Sequence, residues 1–195
     1  LGDTHQSVNP LSSSTSQDIQ TIFPTSQCVK LNKSYRSTYQ ITQFAQKISP
    51  HVDLEAIKRD GEEPLIISLL TEEEQTQKII DYIKEFKNSS FHSIGVICKT
   101  QQQAQALYDQ IKEKAGRIYL LNSSSQVFRQ GVTLCSAHMA KGLEFDHVLV
   151  PHVTQENYTT DIDKRMLYIA CTRAMHRLTL TFTNKHTRFI NDQNK

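Results

Sequence analysis

The chain has 195 residues, of which 37% are hydrophobic and 22% charged, and its formal net charge is +2. This composition is ordinary for a globular chain and excludes a collagen-like or largely disordered protein, while the charge is too small to identify a dedicated polyanion-binding domain. Its cysteines form no C-x-x-C pair, and no apolar run is long enough to cross a membrane. We therefore expect reduced core thiols in a cytoplasmic protein with no membrane partner.

The beginning of the chain, residues 1–25, differs from the rest in composition. It contains a serine-rich run at residues 12–16 and little periodic apolar content. Such composition favours a connector that is partly disordered and lies outside the folded core. We expect residues 26–195 to form the folded domain.

The first strongly periodic segment predicts a short helix. Ile41, Phe44, Ala45 and Ile48 recur at the spacing of one helical face. Either Ser37 or Thr38 is available as the N-cap.

Two strand and helix units follow directly. Residues 65–70 form an apolar run of strand length, and Thr71 and Glu74 have the spacing of a capping box before the helix that carries Ile79, Ile80, Ile83 and Phe86. Residues 93–99 predict a second buried strand, followed by Thr100 and Gln103 at the same spacing and by a second helix. The pattern indicates alternating strands and helices.

The remaining elements extend this alternation. Further strands are predicted at residues 117–121, 132–136, 147–152 and 178–182, with a helix at 162–174 before the last strand. Strands that are apolar throughout predict an α/β fold, in which a parallel sheet lies between helices. Ligands usually bind such sheets outside the carboxyl ends of the strands. We expect sites in the loops after Ser136 and around Tyr35 and Arg36.

Two short segments carry residues suited to chemistry. In the loop after the strand predicted to end at Ser136, Gly142 allows close approach of the backbone, and Lys141 and Glu144 supply opposite charges. A solvated turn would need no more than this. Arg173 lies at the end of the last predicted helix. A guanidinium there can stabilise a γ-phosphate in the transition state, or it can form a salt bridge or interact as a cation with the helix C-terminus.

A nucleotide site built from these residues would be incomplete. The sequence G-x-x-x-x-G-K-[ST], whose backbone amides and lysine hold nucleotide phosphates, occurs nowhere in the chain. We therefore expect that this polypeptide does not hydrolyse nucleotides alone.

Four segments in order resemble motifs III to VI of UvrD/Rep-type superfamily 1 helicases. They are Gly2-Asp3-x-x-Gln6-Ser7-Val8, Tyr35-Arg36-Ser37-Thr38, Ala140-Lys141-Gly142-Leu143-Glu144-Phe145 and Tyr168-Ile169-Ala170-Cys171-Thr172-Arg173-Ala174. The sequences AKGLEFD and CTRAMHRL are most similar to the corresponding motifs of the HelD branch, whose members act on bacterial RNA polymerase.

The resemblance implies a RecA-like fold of the P-loop NTPase type that lacks its own P-loop. Residues 1–25 would be the tail of the first RecA-like domain and a connector, and residues 26–195 the second RecA-like domain. ATP would bind between the two domains, with the ligands of Mg²⁺ in the first. The implied partners are the first domain, single-stranded or partially duplex DNA and, in the HelD reading, RNA polymerase.

The resemblance also assigns nucleotide contacts to individual residues. Gln6 would sense the γ-phosphate, Tyr35 would stack on adenine, and Arg36 and Arg173 would contact the γ-phosphate. Glu144 would accept hydrogen bonds from the ribose, next to Gly142. The alternatives are core packing for Tyr35, a surface ion pair for Arg36 and a solvated loop carboxylate for Glu144.

The resemblance places nucleic-acid contacts at Ser136 and His138, with Lys141 supporting the loop or binding phosphate. A buried or strand-capping histidine is the alternative for His138. The chain between Arg36 and Val132 is too short for the large accessory domain that UvrD and Rep insert there. The sequence therefore predicts part of an ATP-dependent DNA helicase or compact translocase, with a HelD-like ATPase or an isolated RecA-like interaction module as alternatives.

Overall fold

The computed structural model describes residues 16–25, 27, 33–50, 55–56, 58–125 and 130–190. The elements in these residues are α1 Ser16–Ile22, β1 Lys33–Ser34, α2 Tyr39–Ile48, β2 Glu55–Ala56, β3 Leu65–Leu69, α3 Glu72–Phe86, β4 Ser93–Cys98, α4 Gln101–Ala115, β5 Ile118–Leu120, β6 Gly131–Ser136, β7 Phe145–Val150, α5 Asp161–Cys171 and β8 Ala174–Thr183.

Six of the strands form one parallel sheet. Their order is β3, β8, β7, β4, β6, β5, so the last strand of the chain lies inside the sheet. Strands β1 and β2 pair separately, also in parallel. None of the helices in the described residues is long and apolar enough to span a membrane.

Helices cover the sheet on both faces. The apolar sides of α2 and α5 pack on one face, and those of α3 and α4 pack on the other. Strand β4 serves both cores, because Ile97 belongs to the first cluster and its neighbour Val96 to the second. All six residues of β4 are buried, as are all six of β7. The predicted α/β fold with a parallel sheet between helices is confirmed.

The helix starts follow the expected capping chemistry in part. Thr100 and Gln103 form a complete capping box at α4. At α3, Thr71 accepts a hydrogen bond from the backbone of Glu74, whose carboxylate instead accepts from the backbone of Leu70. Thr38 is the N-cap of α2, but its side chain makes no capping hydrogen bond.

Element boundaries differ from the sequence expectations at several ends. Strand β8 begins four residues earlier than predicted, at Ala174, and β7 is shifted toward the amino end, at Phe145–Val150. Helix α5 ends at Cys171 rather than at residue 174. The largest difference is α1, because Ser16–Ile22 is helical where a connector was expected, with Ile19, Ile22 and Phe23 exposed.

The centre of the sheet contains one contact that requires glycine. The ring of Phe145 in β7 lies over Gly95 in β4, so close that a Cβ atom at Gly95 would stand 2.6 Å from it. Phe145 is fully buried. Glycine at this position therefore lets the first residue of β7 fill the core beneath α2 and α5.

We expect Gly95→Ala to lower the free energy of unfolding by roughly 1–3 kcal/mol, the usual cost of overpacking a core. Urea unfolding followed by circular dichroism would measure it. Adding Phe145→Leu to Gly95→Ala should recover part of the loss, because the smaller side chain makes room for the new methyl group. Equal loss in the single and double variants would contradict this account.

Candidate functional site

Two residues predicted for nucleotide binding meet at the amino ends of the central strands. Glu144 immediately precedes β7 and Arg173 immediately precedes β8. The backbone amide of Phe145 donates to the carbonyl of Arg173 over 2.9 Å, which starts the pairing of these strands. Because adjacent parallel strands begin at the same edge of a sheet, residues that are far apart in sequence become neighbours here.

A third segment is fastened to the same edge. The hydroxyl of Ser37 donates to the carbonyl of Ala174 over 2.6 Å, and the amide of Thr38 donates to the carbonyl of Met175 over 3.2 Å. The expectation that the loop around Tyr35 and Arg36 lies outside the carboxyl ends of the strands is therefore wrong. These bonds, made as the chain enters α2, hold it at the amino end of β8.

Arg36 and Glu144 form an ion pair. The Nε atom of Arg36 donates to Oε1 of Glu144, and the two side chains are 35% and 44% exposed. Ion pairs with this exposure stabilise a protein by about 0–1 kcal/mol. The pair is therefore easily exchanged for another ligand of either group.

Tyr35 lies beside this pair in the chain and faces solvent. It is 71% exposed, which makes it one of the exposed large hydrophobic residues among those the structure describes. Core packing is thus not its role in this structure. Its ring is accessible for stacking on a planar ligand.

Arg173 is placed differently from Arg36. It is 1% exposed and is the largest of the fully buried side chains in the described residues. Its guanidinium donates to the carbonyl of Ile169 over 3.2 Å, to the hydroxyl of Thr172 over 3.2 Å and to the carbonyl of Leu143 over 3.4 Å. Contact of Arg173 with a γ-phosphate stays a prediction.

Gly142 lies in the turn before β7, two residues from Glu144. Its φ angle is +90°, in the region that side chains rarely adopt, and nothing lies within 4 Å of where a Cβ would stand. The conformation of the turn, rather than lack of space, therefore requires glycine here. Gln6 lies outside the described residues.

A further segment at this edge was not identified from the sequence. The Nη2 atom of Arg59 donates to the carbonyl of Met175 over 3.1 Å and lies 3.0 Å from Nδ1 of His176. The backbone carbonyl of Arg59 accepts a hydrogen bond from the amide of Tyr39. Glu62 forms a bidentate pair with Arg177 at 2.6 and 2.9 Å. The 59–62 segment thus covers the start of β8 beside Ser37. The only sequence signal for this segment is the turn-forming residue Gly61.

The residues predicted for nucleic-acid contact lie at the opposite edge. Ser136 ends β6, and the amide of Ala137 donates to the carbonyl of Cys98 at the end of β4. The buried Ser136 hydroxyl accepts from the amide of Met139 over 3.3 Å and so caps the turn. The next residues of this turn, His138 and Lys141, are exposed.

A buried ion pair holds the carboxyl end of β4 to the start of α5. Lys99 lies 2.7 Å from the carboxylate of Asp163, and the two side chains are 20% and 9% exposed. Burial opposes ionisation of Asp163, but hydrogen bonds from Lys99, Thr160 and Thr159 outweigh it and hold the pKa of this carboxyl below its ordinary value. Thr160 and Asp163 also form the capping box of α5.

The comparisons with known proteins identify the family to which the chain belongs. The chain matches the UvrD-like helicase C-terminal domain family over residues 29–130 and 116–185, and it belongs to that family. The C-terminal domain of a possible DNA helicase from Lactobacillus plantarum WCFS1 is 29% identical, with a TM-score of 0.68, and the match covers 82% of this chain and 95% of that one.

More distant structures share less. The UvsW helicase of bacteriophage T4 is 9% identical with a TM-score of 0.43, over 87% of this chain and 61% of its own. The arterivirus nonstructural protein 10 helicase, solved with DNA, is 12% identical with a TM-score of 0.42, over 62% of this chain and 28% of its own. No curated protein matches the chain.

The ion pair of Lys99 and Asp163 gives a pH-dependent prediction. We expect Asp163→Asn to lower the free energy of unfolding at pH 7 by about 1–3 kcal/mol, the cost of losing a hydrogen-bonded charge. The folded state depresses the pKa of Asp163, so its stabilisation is present above the unfolded pKa of about 3.9 and is lost as the pH falls below that value. The difference between the proteins should therefore shrink in acid.

Urea unfolding at a series of pH values would measure this difference. Asp109→Asn is the control, because Asp109 also pairs with a lysine, Lys112, but on the exposed surface of α4. We expect a change within about 0.5 kcal/mol for the control. A difference between wild type and Asp163→Asn that is the same at neutral and acid pH would contradict the role of the Asp163 charge.

Proposed function

We propose that this domain is the second RecA-like domain of an ATP-dependent superfamily 1 DNA helicase or translocase. The observation that carries the proposal is the amino edge of the sheet, where the exposed Tyr35 adjoins the accessible ion pair of Arg36 and Glu144. Since the chain has no P-loop, the nucleotide would be held by the first RecA-like domain and met by this edge.

Each group at this edge suits one part of ATP. The ring of Tyr35 stacks on adenine, and the carboxylate of Glu144 accepts hydrogen bonds from ribose hydroxyls. Arg36 exchanges Glu144 for the γ-phosphate, to which a guanidinium offers two parallel hydrogen bonds. Arg173, whose guanidinium donates to the carbonyl of Leu143, contributes a second positive charge. Stabilising the transferred phosphoryl group is the main work of such a site.

Mg²⁺ is expected to enter this site with the nucleotide. Among the described residues no group of three or more His, Cys, Asp or Glu side chains could hold a metal ion. We propose, as the resemblance to the helicase motifs implies, that the ligands of Mg²⁺ belong to the first RecA-like domain.

The opposite edge of the sheet suits nucleic acid. His138 and Lys141 are exposed on the turn after β6 and can donate hydrogen bonds to phosphate. The Ser136 hydroxyl accepts from Met139 and still has a proton to donate. The similar domain from a possible DNA helicase supports DNA as the polymer.

A HelD-like ATPase that remodels RNA polymerase is the second candidate. It is favoured by the sequences of the segments around Glu144 and Arg173. The short connection between β5, which ends at Leu120, and β6, which begins at Gly131, suits both this candidate and a compact translocase. No accessory domain fits in that connection.

ATP turnover by the full-length protein that carries this domain, measured with and without single-stranded DNA, tests the proposal. We expect single-stranded DNA to raise ATP turnover by the full-length protein strongly, and we expect no ATP turnover by the isolated chain. Turnover that ignores DNA but responds to RNA polymerase would favour the HelD-like candidate. Turnover by the isolated chain would contradict the composite site.

Arg36→Ala in the full-length protein should lower kcat by roughly 10³- to 10⁵-fold, because it removes a guanidinium that stabilises phosphoryl transfer. Steady-state kinetics with saturating DNA would measure this, and DNA binding should change little. Arg117→Ala is the control, since Arg117 is exposed next to β5, at the far edge strand of the sheet. Normal ATP turnover in Arg36→Ala would contradict the proposed contact of Arg36 with the γ-phosphate.

Tyr35→Ala should weaken ATP binding by a factor of roughly 5 to 150, the range expected for loss of base stacking worth about 1–3 kcal/mol. Tyr35→Phe should retain affinity because the ring is kept. Tyr39→Ala is the matched control, as Tyr39 is a nearby tyrosine that is 40% exposed. Fluorescence titration with a labelled ATP analogue would measure the affinities, and unchanged binding in Tyr35→Ala would refute the stacking role.

A further inference from the structure

Strand β3 forms an outer edge of the six-stranded sheet. It pairs with β8 on one side, and none of the residues that the structure describes pairs with its other side. A free edge presents a row of backbone amides and carbonyls to which another strand can bind. Residues 65–70 contain only leucine, isoleucine and one serine, and Leu65 and Leu70 are 44% and 84% exposed.

The opposite edge of the sheet is built differently. Strand β5 has only three residues, Ile118–Leu120, and the exposed Arg117 directly precedes it. Short edge strands and charged neighbours are common means of preventing unwanted strand pairing. Strand β3 is longer and carries no charge, so its edge is the better suited of the two to accept a further strand.

Acidic residues lie at both ends of the β3 edge. Residues 60–74 contain six Asp and Glu residues and no Lys, Arg or His, although the whole chain has a net charge of +2. All six acidic residues are exposed. Three of them bind within the domain, namely Glu62 to Arg177, Glu72 to His152 and Glu74 to the amide of Leu70. The other three, Asp60 and Glu63 before the strand and Glu73 after it, add negative charge at its two ends.

This charge distribution selects among possible occupants of the edge. A nucleic acid is a polyanion and would be repelled. In a pair of β3 strands from two copies of this chain, acidic residues would meet acidic residues in either orientation, because both ends of the strand carry them, and like charges on neighbouring strands are destabilising. A polypeptide with basic residues around an apolar centre matches both the strand and its ends.

We propose that the outer edge of β3 binds an extended polypeptide segment that is apolar in its middle, carries Lys or Arg at both ends and adds a seventh strand to the sheet. In such complexes the main-chain hydrogen bonds supply affinity. Leu65 and Leu70 offer apolar contact to the added side chains, and Glu63 and Glu73 attract the basic ends. None of the residues assigned to ATP or DNA lies on this edge, so the proposal stands apart from the proposed function.

Three fluorescent peptides test the proposal by anisotropy titration of the full-length protein. The first, KKVTVTVTKK, has the proposed character, EEVTVTVTEE reverses its charge, and KKVTPTPTKK keeps the charge but cannot form a continuous strand. We expect the first to bind at least roughly tenfold more tightly than either of the others. Equal binding of the two basic peptides would reduce the contact to charge alone and overturn strand addition, and equal binding of the acidic peptide would overturn the charge argument.

Charge reversal tests the position of the site. Glu63→Lys combined with Glu73→Lys should weaken binding of KKVTVTVTKK by roughly tenfold or more, because both exposed carboxylates near the basic ends change sign. Glu85→Lys combined with Glu113→Lys is the matched control, since it reverses two exposed glutamates on α3 and α4 instead. Circular dichroism would verify that both variants are folded. Equal affinity in the test and control variants would overturn the proposal.

Hydrogen–deuterium exchange of the full-length protein reads the strand pairing directly. The peptide KKVTVTVTKK should slow exchange of the amides of residues 65–70 and leave those of residues 118–120 unchanged. Slowing at β5 instead, or at neither strand, would overturn the proposal. Sedimentation of the protein without peptide completes the test, because a dimer that protects residues 65–70 would make a second copy of the chain the occupant.

Discussion

The parallel pairing of β7 with β8 is the constraint on which this domain's candidate site depends. It begins with the hydrogen bond between Phe145 and Arg173, and it brings the residues before each strand together. Ser37 extends the arrangement, since its bond to Ala174 adds the Tyr35–Arg36 segment from far along the chain. Any change that shifts the register of these strands would separate all the candidate nucleotide contacts at once.

The two edges of the sheet are joined by a short turn. It leaves the carboxyl end of β6, where Ser136 caps it, and reaches the amino end of β7, where Arg173 holds the carbonyl of Leu143. Both ends of the turn are fixed by hydrogen bonds, and packed protein interiors transmit displacement. In the proposed function, this is the most direct covalent route between the nucleotide edge and the nucleic-acid edge.

The sequence predicted most of the fold, because its strongest patterns are local. The spacing of Ile41, Phe44 and Ile48 and the apolar run of β4 each specify an element by themselves. What it could not predict depends on tertiary pairing. The edge to which Tyr35 and Arg36 attach and the cover formed by Arg59 follow from contacts with β8. The burial of Arg173 follows from its contact with Leu143, which is distant in sequence. No local pattern exists for such contacts.

The two arginines of the candidate site differ in how their guanidinium groups are held. Arg36 is neutralised by one partly exposed carboxylate, a pairing worth about 0–1 kcal/mol, which the several charges of a triphosphate can displace. Arg173 is 1% exposed and donates to the carbonyls of Ile169 and Leu143, and moving it would break these hydrogen bonds, each worth about 0.5–1.5 kcal/mol. Moving the guanidinium of the exposed Arg36 therefore costs less free energy than moving that of Arg173. In the proposed function, the group that exchanges partners when the two RecA-like domains close on ATP is therefore expected to be Arg36.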